Sequence, residues 1–507
     1  MLLENRVHRD EPHGNWRVLW TIVGAVPFLL LAAWHWPHGP RADFGDYAQY
    51  LLHAEALLKG RAYSDIGYIY TSWAPFIGPP VQPPALPAAL VPLVALTDGA
   101  RESGLYKGFM VLCVVAFLGA AAAYLARFGS NLLVIATLLV VGLWMETGFV
   151  TTAPQPDVIF AALVWLMFLV VDRRGEWTWR HVLMISALGL LALAFRLAAL
   201  PLLPAVFLYA LIHRRKVGSL ASAPMLVWCV CAVIALAASP RATTYVRFLP
   251  RDPMRLVGAL VENAHQYPFL VLKLFLFPLP WNLGNDVYHL LICAFAVIGA
   301  LVWIPRMRNS FLLVFTVVYL GMLFVLPIRH ERYLMPLAPI AVFFAMGGVA
   351  TAARWLAGLT HRELTDAGAA RAALGIAGAI VAVALVHEFS APRPAALMDA
   401  PGAREVFERL EAARDSGTVR AAFINPRVLT WYTGVPAMGF FAAPPDSTIA
   451  EFRAKRITHV VLGDFHIDPW RSRSMASAVA AHSHAFRQLY TAGVFTVYAF
   501  DSTQALP

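Results

Sequence analysis

Residues 41–61, RADFGDYAQYLLHAEALLKGR, decide how the rest of the chain is read. They follow the first long apolar run, which Pro37 and Pro40 close just after Trp36, so Asp43 and Asp46 emerge where a membrane span would end. Carboxylates in that position belong at the water line, not in hydrocarbon. Tyr47, Tyr50, Leu51, Ala54, Leu57 and Leu58 then recur at spacings of three and four, which builds one apolar helix face, while Gln49, His53 and Lys59 are expected to point elsewhere. The spacing predicts a helix lying on the membrane surface. A carboxylate pair held there could act as a base on a substrate whose other half stays dissolved in the bilayer.

The composition supplies the membrane. Of 507 residues, 59% are hydrophobic and 14% charged, against roughly 25% charged in soluble domains, and the apolar residues come in long blocks. This is the pattern of a polytopic membrane protein. The polar residues 1–17 and the run after them lack a small-residue cleavage signature, so the run reads as a retained anchor. Cys113, Cys229, Cys231 and Cys293 all fall inside apolar runs, which indicates neither a disulfide framework nor a zinc site. The net charge of +10 suits anionic lipid surfaces or phosphate-bearing ligands, and no stretch looks like a nucleic-acid module.

Spans are expected at Trp16–Trp36, Leu105–Ala126, Leu132–Phe149, Val158–Val171, Val182–Phe195, Leu197–Ile212, Met225–Ala238, Val287–Trp303, Phe311–Leu326, Leu334–Ala350 and Ala372–Val386. Thr71–Gly99, broken by Pro83, Pro84, Pro87 and Pro92, reads as a second surface or re-entrant segment. With a cytoplasmic N-terminus, the basic turns at Arg127, Asp172–Arg180, His213–Lys216 and Pro305–Arg308 all fall inside, as the positive-inside bias requires. Arg241, Arg247, Arg251 and Arg255 then lie in a long outer loop. Asp43, Asp46, Asp157, Arg196, His265, Arg329, His330 and Arg332 collect on the same outer face, far apart in sequence. Arg196 stands out, because a guanidinium in LALAFRLAALPLLP needs either a hairpin tip or an anionic partner.

Asp43-x-x-x-Tyr47-Ala48 after the first span resembles the first-loop motif of GT-C superfamily membrane glycosyltransferases, especially the branch of protein O-mannosyltransferases and the lipid A aminoarabinose transferase. The likeness continues through Lys59-Gly60, the proline-rich PPVQPPALP, the aspartate in PQPDVIF, a basic residue in the next outer hairpin and RYLMPLAP, covering roughly Val18 to Ala350. It implies a mainly α, polytopic fold: a GT-C-type core of about eleven spans with outer surface helices. It also implies an inverting transfer of a sugar from a polyprenyl-monophosphate donor to a lipid, glycan or protein acceptor outside the membrane. Asp43 matches the position of the family's catalytic base. Phe44 stands where the family often has a second acidic residue, which leaves Asp46 as its substitute. A divalent cation is the one cofactor in view, with Asp157, His265 and Tyr47 as supporting, acceptor-binding or metal-ligating candidates.

The chemistry fits that assignment. A sugar on a polyprenyl phosphate already carries a charged leaving group, so the acceptor hydroxyl needs a base more than the leaving oxygen needs an acid. Arginines from separate loops can hold the phosphate through paired hydrogen bonds; Arg196, Arg329 and Arg332 are the candidates, with Tyr333 as a hydroxyl donor. Simpler roles stand beside these. Asp43, Asp46 and Asp157 could serve only helix first turns, His265 could be a wet loop residue, and the RHERY charges could only anchor a span end.

Residues 1–388 are expected to form the transmembrane catalytic core and residues 389–507 a soluble outer α/β domain. Strands are expected at Arg420–Asn425, Thr458–Asp464 and Val494–Phe500, and helices at Arg404–Asp415 and Arg473–Tyr490. Two other function classes fit a polytopic chain: a lipid or glycan transporter or flippase, and an envelope polymerase or ligase using a diphosphate-linked donor. The first calls for matching halves with interrupted helices, which the sequence lacks. Only the Asp43 motif argues against the second.

Overall fold

The computed structural model describes residues 14–37, 45–71, 82–98, 101, 104–144, 153–173, 176–213, 227–228, 230, 252–273, 282–326, 331–390, 397–415, 417–440, 443–463 and 469–503. The first helix, α1 (Gly14–His35), leads to α2 (Asp46–Leu58) and α3 (Ala85–Leu96), which pack on each other. The bundle continues through α4 (Gly104–Leu125), α5 (Asn131–Trp144), α6 (Pro156–Val171), α7 (Trp179–Phe195), α8 (Leu202–Ile212), α9 (Pro253–Lys273), α10 (Asn282–Met307), α11 (Phe311–Val325), α12 (Ala338–Leu359) and α13 (Asp366–Ser390). Among the described residues, Gly104–Leu125, Leu290–Met307, Arg332–Leu359 and Asp366–Ser390 are long and apolar enough to cross a membrane, and seven further apolar helices are shorter. Leu112, Leu301 and Val317 point their side chains out of the bundle, as lipid-facing residues should. The chain is an integral membrane protein.

Small residues let the helices approach closely where lipid gives no hydrophobic drive. A Cβ on Gly348 of α12 would lie 1.8 Å from the Phe295 carbonyl oxygen of α10, so the two backbones touch there. At the end of the bundle where α6 finishes, Asp172 accepts a hydrogen bond from the Tyr124 hydroxyl. It also caps α11 through the Phe311 amide, 2.9 Å from each carboxylate oxygen. This joint ties α4, α6 and α11 at the end opposite the start of α6.

Residues 397–503 build an α/β unit with helices α14 (Ala403–Arg414), α15 (Pro426–Thr433), α16 (Pro445–Ala454) and α17 (Pro469–Ala481). Its strands are β1 (Ala421–Ala422), β2 (Ala437–Met438), β3 (His459–Gly463), β4 (Phe486–Ala492) and β5 (Phe495–Phe500), in the order β2-β1-β3-β5-β4. The β2-β1-β3 pairs are parallel, and β5 runs antiparallel to both neighbours. The loop after α2 extends the β2 edge: the Ile69 amide donates to the Ala437 carbonyl at 2.8 Å, and the Ala437 amide to the Gly67 carbonyl at 3.0 Å.

Three sequence expectations change. First, Gln49 and His53 of α2 are buried, while Leu57 and Leu58 are exposed, because α15 covers the polar face of this helix. Second, VENAHQYP belongs to α9 and not to a loop; Leu256, Leu260, Asn263 and Tyr267 line one side of it, and Asn263 donates to the Phe324 and Leu326 carbonyls at 2.6 and 2.9 Å. Third, the helix expected over Arg473–Tyr490 stops at Ala481, and Phe486 onward pairs with β5 across a turn in which Gly493 has φ +56°. Most of the expected span Met225–Ala238, with Arg241, Arg247 and Arg251, lies outside the described residues.

Candidate functional site

Every charged side chain of the site arrives from a helix end or a helix break. Asp46 opens α2, Asp157 follows Pro156 in the first turn of α6, and Arg427 follows Pro426 in the first turn of α15. Arg196 ends α7 with extended backbone, φ −156° and ψ 130°, before a short 3-10 turn at Leu197–Ala199. Arg332 and Tyr333 lie in the 3-10 segment Glu331–Leu337 ahead of α12. That segment is pinned from behind: Tyr319 donates to the Tyr333 carbonyl at 2.8 Å, and the Trp165 indole to the Pro336 carbonyl at 3.0 Å.

Three ion pairs result, and Tyr333 joins two of them. Arg196 Nη1 donates to Asp157 Oδ2 at 2.7 Å, a pair almost fully shielded from solvent. Arg332 Nη1 donates to Asp46 Oδ2 at 3.1 Å, and Arg427 Nη1 donates to Asp46 Oδ1 at 2.6 Å. The guanidinium carbons of Arg196 and Arg332 lie 5.1 and 5.8 Å from the centre of the Tyr333 ring, within cation–π range. Tyr50, one turn beyond Asp46, is within electrostatic reach of all four core charges and donates its hydroxyl to Gln82 Oε1 at 3.3 Å. Burial first, and Asp46 second, push that hydroxyl's pKa up, so it stays a donor.

Burial opposes ionisation of Asp46, but the guanidinium groups of Arg427 and Arg332 outweigh it and hold the carboxyl well below the usual carboxylate range. Arg427 Nη1 also donates to Gln49 Oε1 at 3.0 Å, and Gln49 Nε2 lies 3.5 Å from His53 Nε2. The other ring nitrogen of His53, Nδ1, is 2.7 Å from the Tyr63 carbonyl, and the two rings stack at 4.0 Å. A carbonyl can only accept, so Nδ1 carries the proton and Nε2 faces Gln49 as an acceptor. Burial pushes the His53 pKa down to about 4, which keeps the ring neutral.

Asp46, Asp157, Arg196, Arg332 and Tyr333 thus come together. Tyr47 is buried on α2, and His265 is exposed on α9. Asp43 and Arg329, like His330, lie outside the described residues. Among the described residues no group of three His, Cys, Asp or Glu side chains could hold a metal ion. The Asp46 and Asp157 carboxylates face guanidinium groups, which do not fit a divalent cation in this arrangement. Sequence reasoning missed Arg427, Gln49, His53 and Tyr50. An arginine after Asn425-Pro426 marks a helix start, and nothing in its neighbourhood signals an aspartate in the first loop.

The fold is of the GT-C type, shared with solved structures over nearly the whole chain. ArnT from Cupriavidus metallidurans bound to undecaprenyl phosphate is 15% identical, with a TM-score of 0.53 over 98% of this chain and 100% of that one. The same protein in the apo state is 14% identical, with a TM-score of 0.52 over 97% and 99%. The archaeal oligosaccharyltransferase AglB from Archaeoglobus fulgidus, in complex with an inhibitory peptide and a dolichol-phosphate, is 12% identical, with a TM-score of 0.56 over 97% of this chain and 75% of that one. No protein-family model and no curated protein sequence matches the chain.

Proposed function

We propose that this chain is an inverting glycosyltransferase that moves a sugar from a polyprenyl-monophosphate donor to an acceptor hydroxyl at the outer face of a bacterial inner membrane. The observation that carries the reading is the meeting of Arg196 and Arg332 at the Tyr333 ring, each paired with a carboxylate, at one end of an apolar bundle. Guanidinium groups in that position can grip a phosphate that a lipid tail delivers from the bilayer. The GT-C fold, seen in one neighbour with undecaprenyl phosphate bound and in another with dolichol-phosphate, supports the same donor class. The short basic turns support a cytoplasmic N-terminus with the α/β unit outside.

In the proposed step the acceptor oxygen attacks the anomeric carbon from the side opposite the phosphate. The new carbon–oxygen bond forms as the bond to the phosphate oxygen breaks, and the leaving lipid phosphate keeps the electron pair. Asp43 takes the acceptor proton, a role that typically contributes about 10²–10⁴-fold. Asp46, with both oxygens engaged, instead holds Arg332 and Arg427 in place. Arg196 and Arg332 neutralise the charge gathering on the phosphate. Residues 1–388 are the catalytic core and residues 389–507 the outer domain in this account.

The test is turnover by purified protein in nanodiscs on a panel of labelled polyprenyl-monophosphate and polyprenyl-diphosphate sugars. The reading expects release of polyprenyl monophosphate with inversion at the sugar. Turnover only on diphosphate donors would instead support a polymerase or ligase.

A further inference from the structure

We propose that the C-terminal α/β unit, through Arg427, supplies the net positive charge that makes this site a phosphate receptor. The inference rests on the transfer reading above and concerns the same donor phosphate. Among the described residues, the helical core brings Arg196 and Arg332 against Asp157 and Asp46, so its formal charges cancel. Arg427 is the fifth charge, and it comes from the other unit. Its guanidinium takes one oxygen of Asp46 while Arg332 takes the other, so neither arginine is fully neutralised. Without Arg427, Asp46 would belong to Arg332 alone and the site would offer an anion no net attraction.

The surroundings of Arg427 are built to present it. Gln49 and His53 sit on the buried face of α2, although a helix at the membrane surface would ordinarily turn such groups to water. His53 fixes Gln49 and Gln49 Oε1 receives Arg427, so two polar residues are buried in the service of one guanidinium. The unit is also held by the Gly67–Ile69 edge pairing and by Arg101, whose guanidinium lies 4.4 Å from the centre of the Trp431 ring. Docking of the unit and the charge of the site are therefore one event. A donor phosphate that gains from the charge must, by reciprocity, tighten the docking.

A plain interdomain staple would predict something different, and a charge-restoring pair of substitutions separates the two. Arg427→Gln sets the five-residue charge to zero, Asp46→Asn raises it by one, and the double variant returns it to the wild-type value. Affinity for undecaprenyl phosphate in nanodiscs is expected to fall about tenfold in Arg427→Gln and to return within about threefold of wild type in the double variant. Asp46→Asn alone should bind at least as tightly as wild type. Hydrogen exchange at the Ile69 and Ala437 amides reports docking in each protein. Should Arg427→Gln undock, Arg427→Lys, which keeps the charge, is expected within about threefold of wild type.

A double variant as weak as Arg427→Gln, or an Asp46→Asn variant weaker than wild type, overturns the assignment, and so does a Lys variant as weak as Gln. Unchanged affinity in Arg427→Gln, with wild type binding normally, overturns the charge role alone. Wild-type protein that does not bind the lipid at all overturns the transfer reading.

Discussion

Arg427 donates a 2.6 Å hydrogen bond to Asp46 across 381 residues of sequence, joining the C-terminal unit to the first loop of the helical core. The same carboxylate accepts from Arg332, so one side chain connects the surface helix, the segment before α12 and the α/β unit. A carboxylate engaged on both oxygens is an organiser of cations, and in the proposed reaction proton abstraction falls to Asp43, three residues earlier.

Asp43→Asn is therefore expected to lower single-turnover transfer by about 10²-fold or more while undecaprenyl phosphate still binds, since the amide keeps the shape and loses the base. Asp46→Asn keeps the base and leaves the site one charge more positive, so it should lower transfer less than Asp43→Asn while undecaprenyl phosphate binds at least as tightly as in wild type. Wild-type rates in Asp43→Asn, with Asp46→Asn inactive, would move the base three residues along.

Lysine should replace Arg196 and Arg332 poorly. Each guanidinium donates to a carboxylate through Nη1 and lies against Tyr333, so its planar fork is fixed in orientation, which the point charge of a lysine cannot reproduce. Donor titrations on Arg196→Lys and Arg332→Lys should show an apparent affinity loss of about tenfold. Unchanged affinity and turnover in both variants would leave only an anchoring role for these residues.

The pH dependence of stability follows from His53. Its folded pKa of about 4 lies below the ordinary 6.5 because burial disfavours the charged ring. As pH falls the unfolded chain takes the proton first, so stability is full above 6.5 and is lost as pH falls from there toward 4. The loss attributable to His53 should reach about 2 kcal/mol near pH 4.5. Thermal unfolding midpoints should therefore fall less steeply with acid in His53→Asn than in wild type. Parallel falls would mean that His53 does not set this slope.

Sidedness is open to thiol labelling. In a background without the four native cysteines, Ser64→Cys and Ser502→Cys should react with an impermeant reagent from outside intact spheroplasts, and Glu176→Cys should not; all three positions are exposed. Labelling of Glu176→Cys from outside would reverse the orientation.

The parts of the site carried by the core were legible because each charge interrupts an apolar run. Asp157 after a proline and Arg196 among leucines have no cheap place in lipid, so each signalled a partner before one was seen. Arg427 gave no such signal, since an arginine in a polar tail costs nothing until α15 docks. The burial of Gln49 and His53 was hidden for the same reason: their partner lies in a part of the chain that local periodicity cannot reach. In α9, Asn263 and Pro268 broke the hydropathy pattern, although Asn263 is satisfied by carbonyls at the end of α11. The β4 strand was lost to the helix-like composition of FRQLY, where tertiary pairing with β5 overrides propensity.

The central claim is that Arg196 and Arg332 hold a lipid-linked phosphate. A structure of the protein in nanodiscs with undecaprenyl phosphate bound tests it most directly. The account predicts the phosphate between these two guanidinium groups, with donor–acceptor distances of about 2.7–2.9 Å. A phosphate seated elsewhere, such as among Arg241, Arg247, Arg251 and Arg255, with both original ion pairs undisturbed, would contradict it.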